Sequence, residues 1–207
     1  FQHPYMKFLA NNNRIELTTP QRYDLELWDW LEKFYENGIV GNAIEKKKLD
    51  MNDILYRKNL CYLNATRKEI NELCMEHLKD DIYHIKLEWL KVDESDKQDT
   101  AYIYNGLPVM AIVNNTKMEI INSEEFWVKS FCSTERTIVL GRDEDMEDEI
   151  VIGFDMFHKN FVVNYCATTH KSQGATISKD INIFDWDIMK KDRKIAYTAV
   201  SRGKTCK

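Results

Sequence analysis

The pattern of apolar and polar residues predicts helices and buried strands of an α/β protein. Residues 18–38 begin with Thr-Thr-Pro and end with Asn-Gly, which are typical signals for the start and the end of a helix. A second helix is predicted after Asn64-Ala65-Thr66 and a third over residues 190–201, because apolar residues recur there at helical spacing. Buried strands are predicted for the short apolar runs at residues 60–63, 161–167 and 181–184. The apolar faces of the first two helices contain Leu27, Trp28, Leu31, Phe34, Ile70, Leu73, Cys74 and Leu78.

The middle of the chain has a different pattern, which predicts a small antiparallel β-barrel. Between residues 84 and 157, short β-rich runs alternate with turns that contain Asn-Gly, Asn-Asn or a single Gly. These runs cover residues 84–90, 108–113, 117–121, 126–131, 136–140 and 149–152. We therefore expect an α/β domain formed by residues 1–83 and 158–207, interrupted by a β-barrel insertion at residues 84–157.

Composition restricts the class of protein. Only 7 of the 207 residues are Gly and 3 are Pro, and 43% are hydrophobic, which excludes a collagen-like or wholly disordered chain. No apolar run approaches the roughly 18 residues of a membrane-spanning helix, so we expect no membrane partner. Five cysteines are scattered without a C-x-x-C pair. This argues against a disulfide framework or a zinc site and favours a reducing, intracellular location.

Charge is unevenly distributed along a chain whose net charge is −5. Residues 87–158 carry 6 Lys/Arg and 16 Asp/Glu, a net charge of −10, whereas residues 159–207 carry 10 and 4, a net charge of +6. Because local fields decide where polyanions bind, we expect phosphate contacts in the basic last quarter. The acidic run at residues 143–149 is expected to be an exposed loop that repels polyanions.

Two segments resemble parts of nucleotide sites but lack the remainder. Gly203-Lys204-Thr205 matches the end of a phosphate-binding loop, but Thr198 stands where that loop needs another Gly, and the chain contains no complete G-x-x-x-x-G-K-[ST]. Residues 181–185 resemble a strand that ends in a magnesium-binding Asp, but no phosphate-binding loop accompanies them. The residues by themselves therefore predict neither an independent nucleotide site nor a metal site.

Two other segments carry the candidate chemistry. Residues 167–176, Ala-Thr-Thr-His-Lys-Ser-Gln-Gly-Ala-Thr, combine a strand end with hydroxyls, an imidazole, a cation and a Gly. Such a turn can offer side-chain and backbone donors to phosphate oxygens. Residues 196–202, Ala-Tyr-Thr-Ala-Val-Ser-Arg, place Arg202 at the end of a packed helix. A guanidinium fixed in this way suits a phosphoryl group in transfer.

Taken together and in this order, these segments resemble the last two motifs of superfamily 1 helicases of the RecD/Pif-like branch, superfamily 1B. The family pattern is T-x-H-K-S-Q-G-x-T followed by A-Y-[TV]-A-[LV]-[ST]-R, which residues 168–176 and 196–202 match. The resemblance extends upstream, where residues 17–23 resemble motif IV with its arginine at Arg22. Residues 63–71 resemble the stretch T-N-x-x-x-x-x-I-N, with Leu63 in place of the first Thr.

The resemblance also covers the insertion and implies a fold. Residues 106–110 and Asn114-Asn115 resemble the barrel insertion of that branch. The implied fold is a RecA-like parallel sheet of the P-loop NTPase type, flanked by helices and interrupted by the barrel. The chain resembles the second of two motor domains, so the first, with the phosphate-binding loop, is expected to precede Phe1. The Asn-, Lys- and Ile-rich composition indicates an AT-rich source such as a large DNA virus, and hence a nuclear or viral cytoplasmic location.

The resemblance implies roles for individual residues in an ATP-dependent helicase that moves along single-stranded DNA and unwinds duplex. Arg202 and Arg22 would contact the transferred phosphoryl group of ATP, which the complete enzyme binds with Mg²⁺. Gln173 and Gly174 would couple the ATP site to the DNA. The residues implied in contacts with single-stranded DNA are Asn64, Thr66, Thr169, His170, Lys171 and Ser172.

Alternatives stay open at several of these positions. His170 could instead hold its turn together, and Thr66 could be a helix cap. The acidic insertion could bind replication proteins rather than DNA. The chain alone is expected to hydrolyse no ATP, because the phosphate-binding loop is missing. The alternative function is an adaptor for nucleic acid or protein, built on an inactive helicase fold.

Overall fold

The computed structural model of the protein describes residues 24–37, 48–80, 82–88, 100–142, 148–173, 177 and 180–203. The helices are α1 (Leu25–Asn37), α2 (Met51–Tyr56), α3 (Asn64–Leu78), α4 (Phe154–Asn160), α5 (Trp186–Met189) and α6 (Arg193–Val200). The strands are β1 (Lys58–Cys61), β2 (Ile85–Glu88), β3 (Thr100–Ile103), β4 (Pro108–Ala111), β5 (Glu125–Cys132), β6 (Thr137–Gly141), β7 (Glu149–Gly153), β8 (Phe161–Val163), β9 (Cys166–Thr168) and β10 (Ile181–Ile183). Among these described residues, no helix has both the length and the hydropathy needed to cross a membrane.

Three strands form a parallel sheet in the order β10-β1-β9. Leu60 in β1 pairs with Ile183 of β10 on one side and with Ala167 of β9 on the other. Because the three strands run in the same direction, their carboxyl ends meet at one edge of the sheet, which is where α/β folds bind ligands. We call the segments that leave this edge, residues 62–66, 169–173 and 184–185, the carboxyl edge.

Helices bury the apolar residues of this sheet. Helix α3 packs against β1 and β9, and α1 packs against α6. One apolar cluster lies under α3 and consists of Ile54, Cys61, Ile70, Cys74 and Cys166. A second cluster joins α1, α5 and α6 and consists of Phe34, Met189, Ala196 and Ala199. The fold class of a parallel α/β sheet with an antiparallel β segment is therefore confirmed.

The predicted apolar face of α1 is confirmed, but that of α3 is partly wrong. Leu27, Leu31 and Phe34 are buried in α1. In α3, Leu73 is 48% exposed, whereas Asn71 and Met75 are buried. The buried residues of α3 recur at intervals of three or four positions from Arg67, and Leu73 does not lie on that face of the helix. Asn71, a polar residue, is thus buried beside Ile70 and Cys74, whereas the predicted Leu73 is not.

Five strands form an antiparallel sheet in the order β7-β6-β5-β4-β8. Its edge strands, β7 and β8, do not pair with each other in the described part of the chain, so the predicted closed barrel is not formed there. The run at 117–121 is a turn closed by a bridge between Asn115 and Ile120 rather than a strand. A separate antiparallel pair joins β2 to β3, and the sequence pattern did not predict β3.

The predicted strand at 161–167 is two strands that belong to different sheets. Residues 161–163 form β8 of the antiparallel sheet, residues 166–168 form β9 of the parallel sheet, and only Asn164 and Tyr165 lie between them. The antiparallel sheet therefore continues past residue 157 as far as Val163. A continuous apolar run suits burial in either sheet, so it cannot reveal where the chain changes sheets.

Buried asparagine side chains hold this crossover. The Asn71 Nδ2 donates to the carbonyl oxygens of Val163 (3.1 Å) and Cys166 (3.3 Å), and its Oδ1 accepts from the Cys166 amide (2.9 Å). The Asn59 Nδ2 donates to the carbonyl of Tyr165 (2.9 Å). These bonds satisfy backbone groups that the change of sheet removes from both ladders. The crossover is consequently fixed by side chains from β1 and α3.

The thiols of the parallel domain are buried. Cys61, Cys74 and Cys166 are enclosed in the cluster under α3, whereas Cys132 is partly exposed. Burial raises the pKa of Cys74 to about 12, because a thiolate in an apolar interior is poorly solvated. These three cysteines therefore pack as small apolar residues of the core.

Candidate nucleic-acid interface

The 168–173 segment forms a helical turn at the carboxyl edge. The amides of Lys171 and Ser172 donate to the carbonyl of Thr168 (2.9 and 3.2 Å), and the amide of Gln173 donates to that of His170 (3.3 Å). This geometry divides the side chains into two groups. His170, Lys171 and Gln173 are exposed, whereas Thr169 and Ser172 are buried.

The buried hydroxyls of this turn stabilise the fold. Thr169 is 1% exposed, and its Oγ1 donates to the carbonyl of Cys61 (3.2 Å), which joins the end of β9 to the end of β1. Ser172 is 6% exposed, and its Oγ donates to the carbonyl of Thr169 (2.9 Å). A hydroxyl has one proton, and a phosphate oxygen can only accept a hydrogen bond. In this arrangement both hydroxyl protons are engaged within the protein, and the implied contacts of Thr169 and Ser172 with DNA stay predictions.

Thr66 is engaged in the same way. Its Oγ1 donates to Oδ1 of Asp185 (2.9 Å), which follows β10. Thr66 lies in the first turn of α3 and thus ties that helix to the segment that follows β10, the strand next to β1. Its single proton is likewise not available to a phosphate oxygen. The implied contact of Thr66 with DNA stays a prediction.

Exposed donors remain on one face of the carboxyl edge. Asn64 is exposed at the start of α3, where the N-cap residue Leu63 provides no side-chain cap. The N-terminus of a helix attracts anions, because its first amides lack partners within the helix, and here the carboxylate of Asp185 lies against it. The ring of His170 lies 6.3 Å from that of the half-buried Tyr62, which precedes Leu63. The turn and the helix N-terminus therefore adjoin.

Lys171 connects this face to the antiparallel sheet. Its Nζ donates to Oδ1 of Asn122 (3.5 Å), in the loop between β4 and β5. A long, exposed ammonium at this distance is weakly held and can exchange partners. At the other end of the parallel strands, Lys58, the first residue of β1, forms an ion pair with Glu125 of β5, so the two sheets also contact each other there.

The Arg202 side chain is buried against its own helix. It is 7% exposed, its Nε donates to the carbonyl of Thr198 (3.0 Å), and its Nη2 donates to Oγ of Ser201 (3.1 Å). The carbonyl of Arg202 accepts from the amide of Ile177 (2.9 Å). A cation at a helix C-terminus is favourable, since it satisfies the last carbonyl groups. The guanidinium is thus not presented to solvent, and its role at ATP stays a prediction.

Two of the predicted site residues and most of one predicted surface loop lie outside the described residues. Arg22 and Gly174 are among them, as are residues 143–147 of the acidic run. In the part of the chain that the structure describes, no group of three or more His, Cys, Asp or Glu side chains could hold a metal ion.

The fold is similar to solved structures of Pif1 helicases. A structure of DNA unwinding at forked double-stranded DNA by two coordinating Pif1 helicases is 18% identical with a TM-score of 0.64, and the match covers 93% of this chain and 48% of that one. Bacteroides Pif1 bound to single-stranded DNA is 17% identical with a TM-score of 0.61, covering 93% and 50%. Pif1 helicase from Candida albicans is 15% identical with a TM-score of 0.59, covering 88% and 52%.

These similarities establish the fold. The fold of the chain matches part of each of these helicase structures. It spans about half the length of each of these structures. No protein-family model matches the sequence, and no curated protein sequence is significantly similar to it.

Sequence reasoning missed two residues of this edge. Asp185 was set aside because no phosphate-binding loop accompanies its strand, yet its carboxylate accepts three hydrogen bonds there. Tyr62 had no recognisable signal beyond its position directly after a buried strand. The useful signal was topological, since both residues follow parallel strands and must reach the same edge.

Proposed function

We propose that the chain is the second motor domain of an ATP-dependent DNA helicase and forms part of its track for single-stranded DNA. The observation that carries the proposal is the group of exposed donors at the carboxyl edge. His170, Lys171 and Gln173 are exposed on one turn, and Asn64 is exposed at the N-terminus of α3, which adjoins that turn. Such a combination of a cation, neutral donors and a helix N-terminus is suited to consecutive phosphates.

This grip is expected to be tolerant of sequence and sensitive to salt. Phosphate contacts carry no sequence information, and neutralising them releases counterions. The half-buried Tyr62 beside His170 adds an aromatic surface on which a base can stack. Support comes from the similar Bacteroides structures, which contain Pif1 bound to single-stranded DNA, in one case together with ADP-AlF3.

The ATP and Mg²⁺ of the complete enzyme would be held mainly by residues outside this chain. The sequence has no complete phosphate-binding loop, and the described residues include no metal-binding cluster. Arg202 does not fit a nucleotide in its present orientation, because its guanidinium lies against α6. Its proposed role, together with that of Arg22, requires the end of α6 to rearrange when a partner domain approaches.

The test is binding of a fluorescently labelled oligothymidylate at increasing salt concentration, followed by anisotropy. Lys171→Ala should weaken binding and reduce the slope of log K against log salt by about 0.7, the value of one single-strand phosphate contact. Lys33→Ala is the matched control, since Lys33 lies on the exposed face of α1, paired with Asp29. Equal effects of the two variants would contradict the proposed interface.

A second candidate function is an adaptor built on an inactive helicase fold. The observation that favours it is the burial of Arg202, since an adaptor needs no guanidinium at ATP. In that case the acidic segment could recruit replication proteins. The discriminating measurement is DNA-stimulated ATP hydrolysis by the intact protein. Hydrolysis that Arg202→Ala abolishes, with ATP binding retained, favours the helicase, and DNA binding without any hydrolysis favours the adaptor.

A further inference from the structure

Three hydrogen bonds converge on the carboxylate of Asp185. Its Oδ2 accepts from the backbone amides of Tyr62 (3.1 Å) and Leu63 (2.9 Å), and its Oδ1 accepts from the Thr66 hydroxyl (2.9 Å). The donors lie about 120 residues away in sequence, at the end of β1 and the start of α3. Hydrogen bonds to a carboxylate are stronger than those between neutral groups, so these three form a firm link.

The backbone of Asp185 is adapted to this position. Its φ of 59° and ψ of 23° are left-handed, a conformation that Asp tolerates better than most residues. This conformation allows the chain to turn directly from β10 into α5. The carboxylate consequently reaches across the end of the parallel sheet to the segment that follows β1.

The bound segment carries part of the proposed DNA-contacting face. Leu63 is the N-cap residue of α3 and has no side-chain cap of its own, and Asn64 follows it directly. The Tyr62 ring lies beside His170. By fixing the amides of Tyr62 and Leu63, Asp185 therefore determines where the helix N-terminus and the aromatic ring lie relative to the 168–173 turn.

We propose that Asp185 is a positioning residue for the single-strand-binding face, acting through Tyr62, Leu63 and Thr66 without contacting DNA. The inference rests on the proposed function and adds a residue that the helicase motifs described above do not include. The expected change in DNA affinity on removal of Asp185 has a sign that distinguishes positioning from charge. A carboxylate near a phosphate-binding face repels DNA, so its removal should tighten binding if charge were all that mattered. If Asp185 positions the DNA-binding face, its removal should instead weaken DNA binding.

The experiment is the Asp185→Asn substitution in the intact protein, with oligothymidylate binding measured over a salt series. The amide oxygen can still accept from the amides of Tyr62 and Leu63, and its NH2 group faces the Thr66 hydroxyl, so the substitution removes the charge and replaces three charge-assisted bonds with weaker neutral ones. We expect affinity to fall about tenfold, which corresponds to about 1.4 kcal/mol. We also expect the slope of log K against log salt to decrease by about 0.7 for each phosphate contact that is lost. Unchanged or tighter binding overturns the proposal.

Asp187→Asn is the matched control for charge. Asp187 lies two residues further on, in α5, is 58% exposed and pairs with Lys190 (2.5 Å). Its neutralisation should leave DNA affinity unchanged or raise it slightly. A loss equal to that of Asp185→Asn would mean that the effect is not specific to the carboxylate that holds Tyr62 and Leu63.

Thr66 provides a second test if Asp185→Asn impairs folding. Thr66→Val removes one of the three bonds and should weaken binding, whereas Thr66→Ser keeps the hydroxyl and should restore it. Thermal unfolding of each variant separates a loss of stability from a loss of phosphate contacts, because a purely structural defect leaves the salt slope unchanged at temperatures well below Tm. Equal affinities of the Val and Ser variants overturn the proposal. If the wild-type protein itself binds no oligonucleotide, the proposed function fails instead.

Discussion

Asn71 offers the sharpest test of how the two sheets are joined. Its side chain is fully buried and makes three hydrogen bonds with backbone atoms of Val163 and Cys166. Asn71→Ala removes all three bonds and leaves space in the interior. The Cys166 amide has one proton and one acceptor, so it loses its partner completely. The carbonyl oxygens of Val163 and Cys166 each lose one hydrogen bond but keep a second lone pair, so the free-energy cost at each of them is smaller.

The magnitude follows from these contacts. An orphaned buried amide costs about 1–3 kcal/mol, and each weakened carbonyl interaction adds about 0.5–1 kcal/mol. The total destabilisation is therefore about 3 kcal/mol. For a domain of this size, 1 kcal/mol corresponds to roughly 2–4 °C in Tm, so we expect Tm to fall by about 10 °C.

The assay is thermal unfolding of the wild type and of Asn71→Ala, with Leu73→Ala as the control. Leu73 lies two residues away on the same helix but is 48% exposed, so its truncation should lower Tm by less than about 2 °C. Hydrogen exchange adds a local readout, because the Cys166 amide should exchange faster in Asn71→Ala. A Tm change as small as that of Leu73→Ala would refute the assigned role of Asn71.

Further predictions concern chemistry, pH and the DNA-binding face. The purified 207-residue chain should hydrolyse no ATP, with or without DNA, in a phosphate-release assay, because it lacks a phosphate-binding loop; measurable turnover would contradict this. In the native protein, a thiol reagent should modify Cys132 before Cys74, and mass spectrometry of the labelled peptides would reveal any reversal. Above pH 9 the unfolded Cys74 thiol ionises while the folded one, with its pKa raised to about 12, does not. Stability should therefore be constant with respect to this group below pH 9 and fall by about 1.4 kcal/mol per pH unit between 9 and 12; denaturant unfolding should give a shallower decline for Cys74→Ala. Ser172→Ala should lower Tm but retain the salt slope of DNA binding, unlike Lys171→Ala, and a reduced slope would mean that Ser172 contacts DNA.

Local sequence patterns predicted much of the architecture. The start of α3, the helix near residue 195 and the strands around Leu60 and Ile183 follow from spacing and strand propensity. These elements depend on residues close in sequence. The exposed His170 and Lys171 were also identifiable, because a polar turn directly after a buried strand must lie at the edge of the sheet.

The remaining features depend on contacts between residues far apart in sequence. Thr169 donates to the carbonyl of Cys61, 108 positions away, and no local pattern distinguishes such a hydroxyl from one free to bind phosphate. Closure of a barrel likewise depends on whether the first and last strands meet. The same holds for Asp185, whose role is defined by donors on another strand.

The short link between β8 and β9 has a mechanical consequence. Only Asn164 and Tyr165 lie between Val163 and Cys166, so the Cα atoms of these two strand ends can lie at most about 11 Å apart. The link, whose flanking residues Val163 and Cys166 are bonded to Asn71, therefore limits how far β8 and β9 can separate. A displacement of β8 larger than this reach would have to move β9 as well, and with it the turn that begins at Thr168.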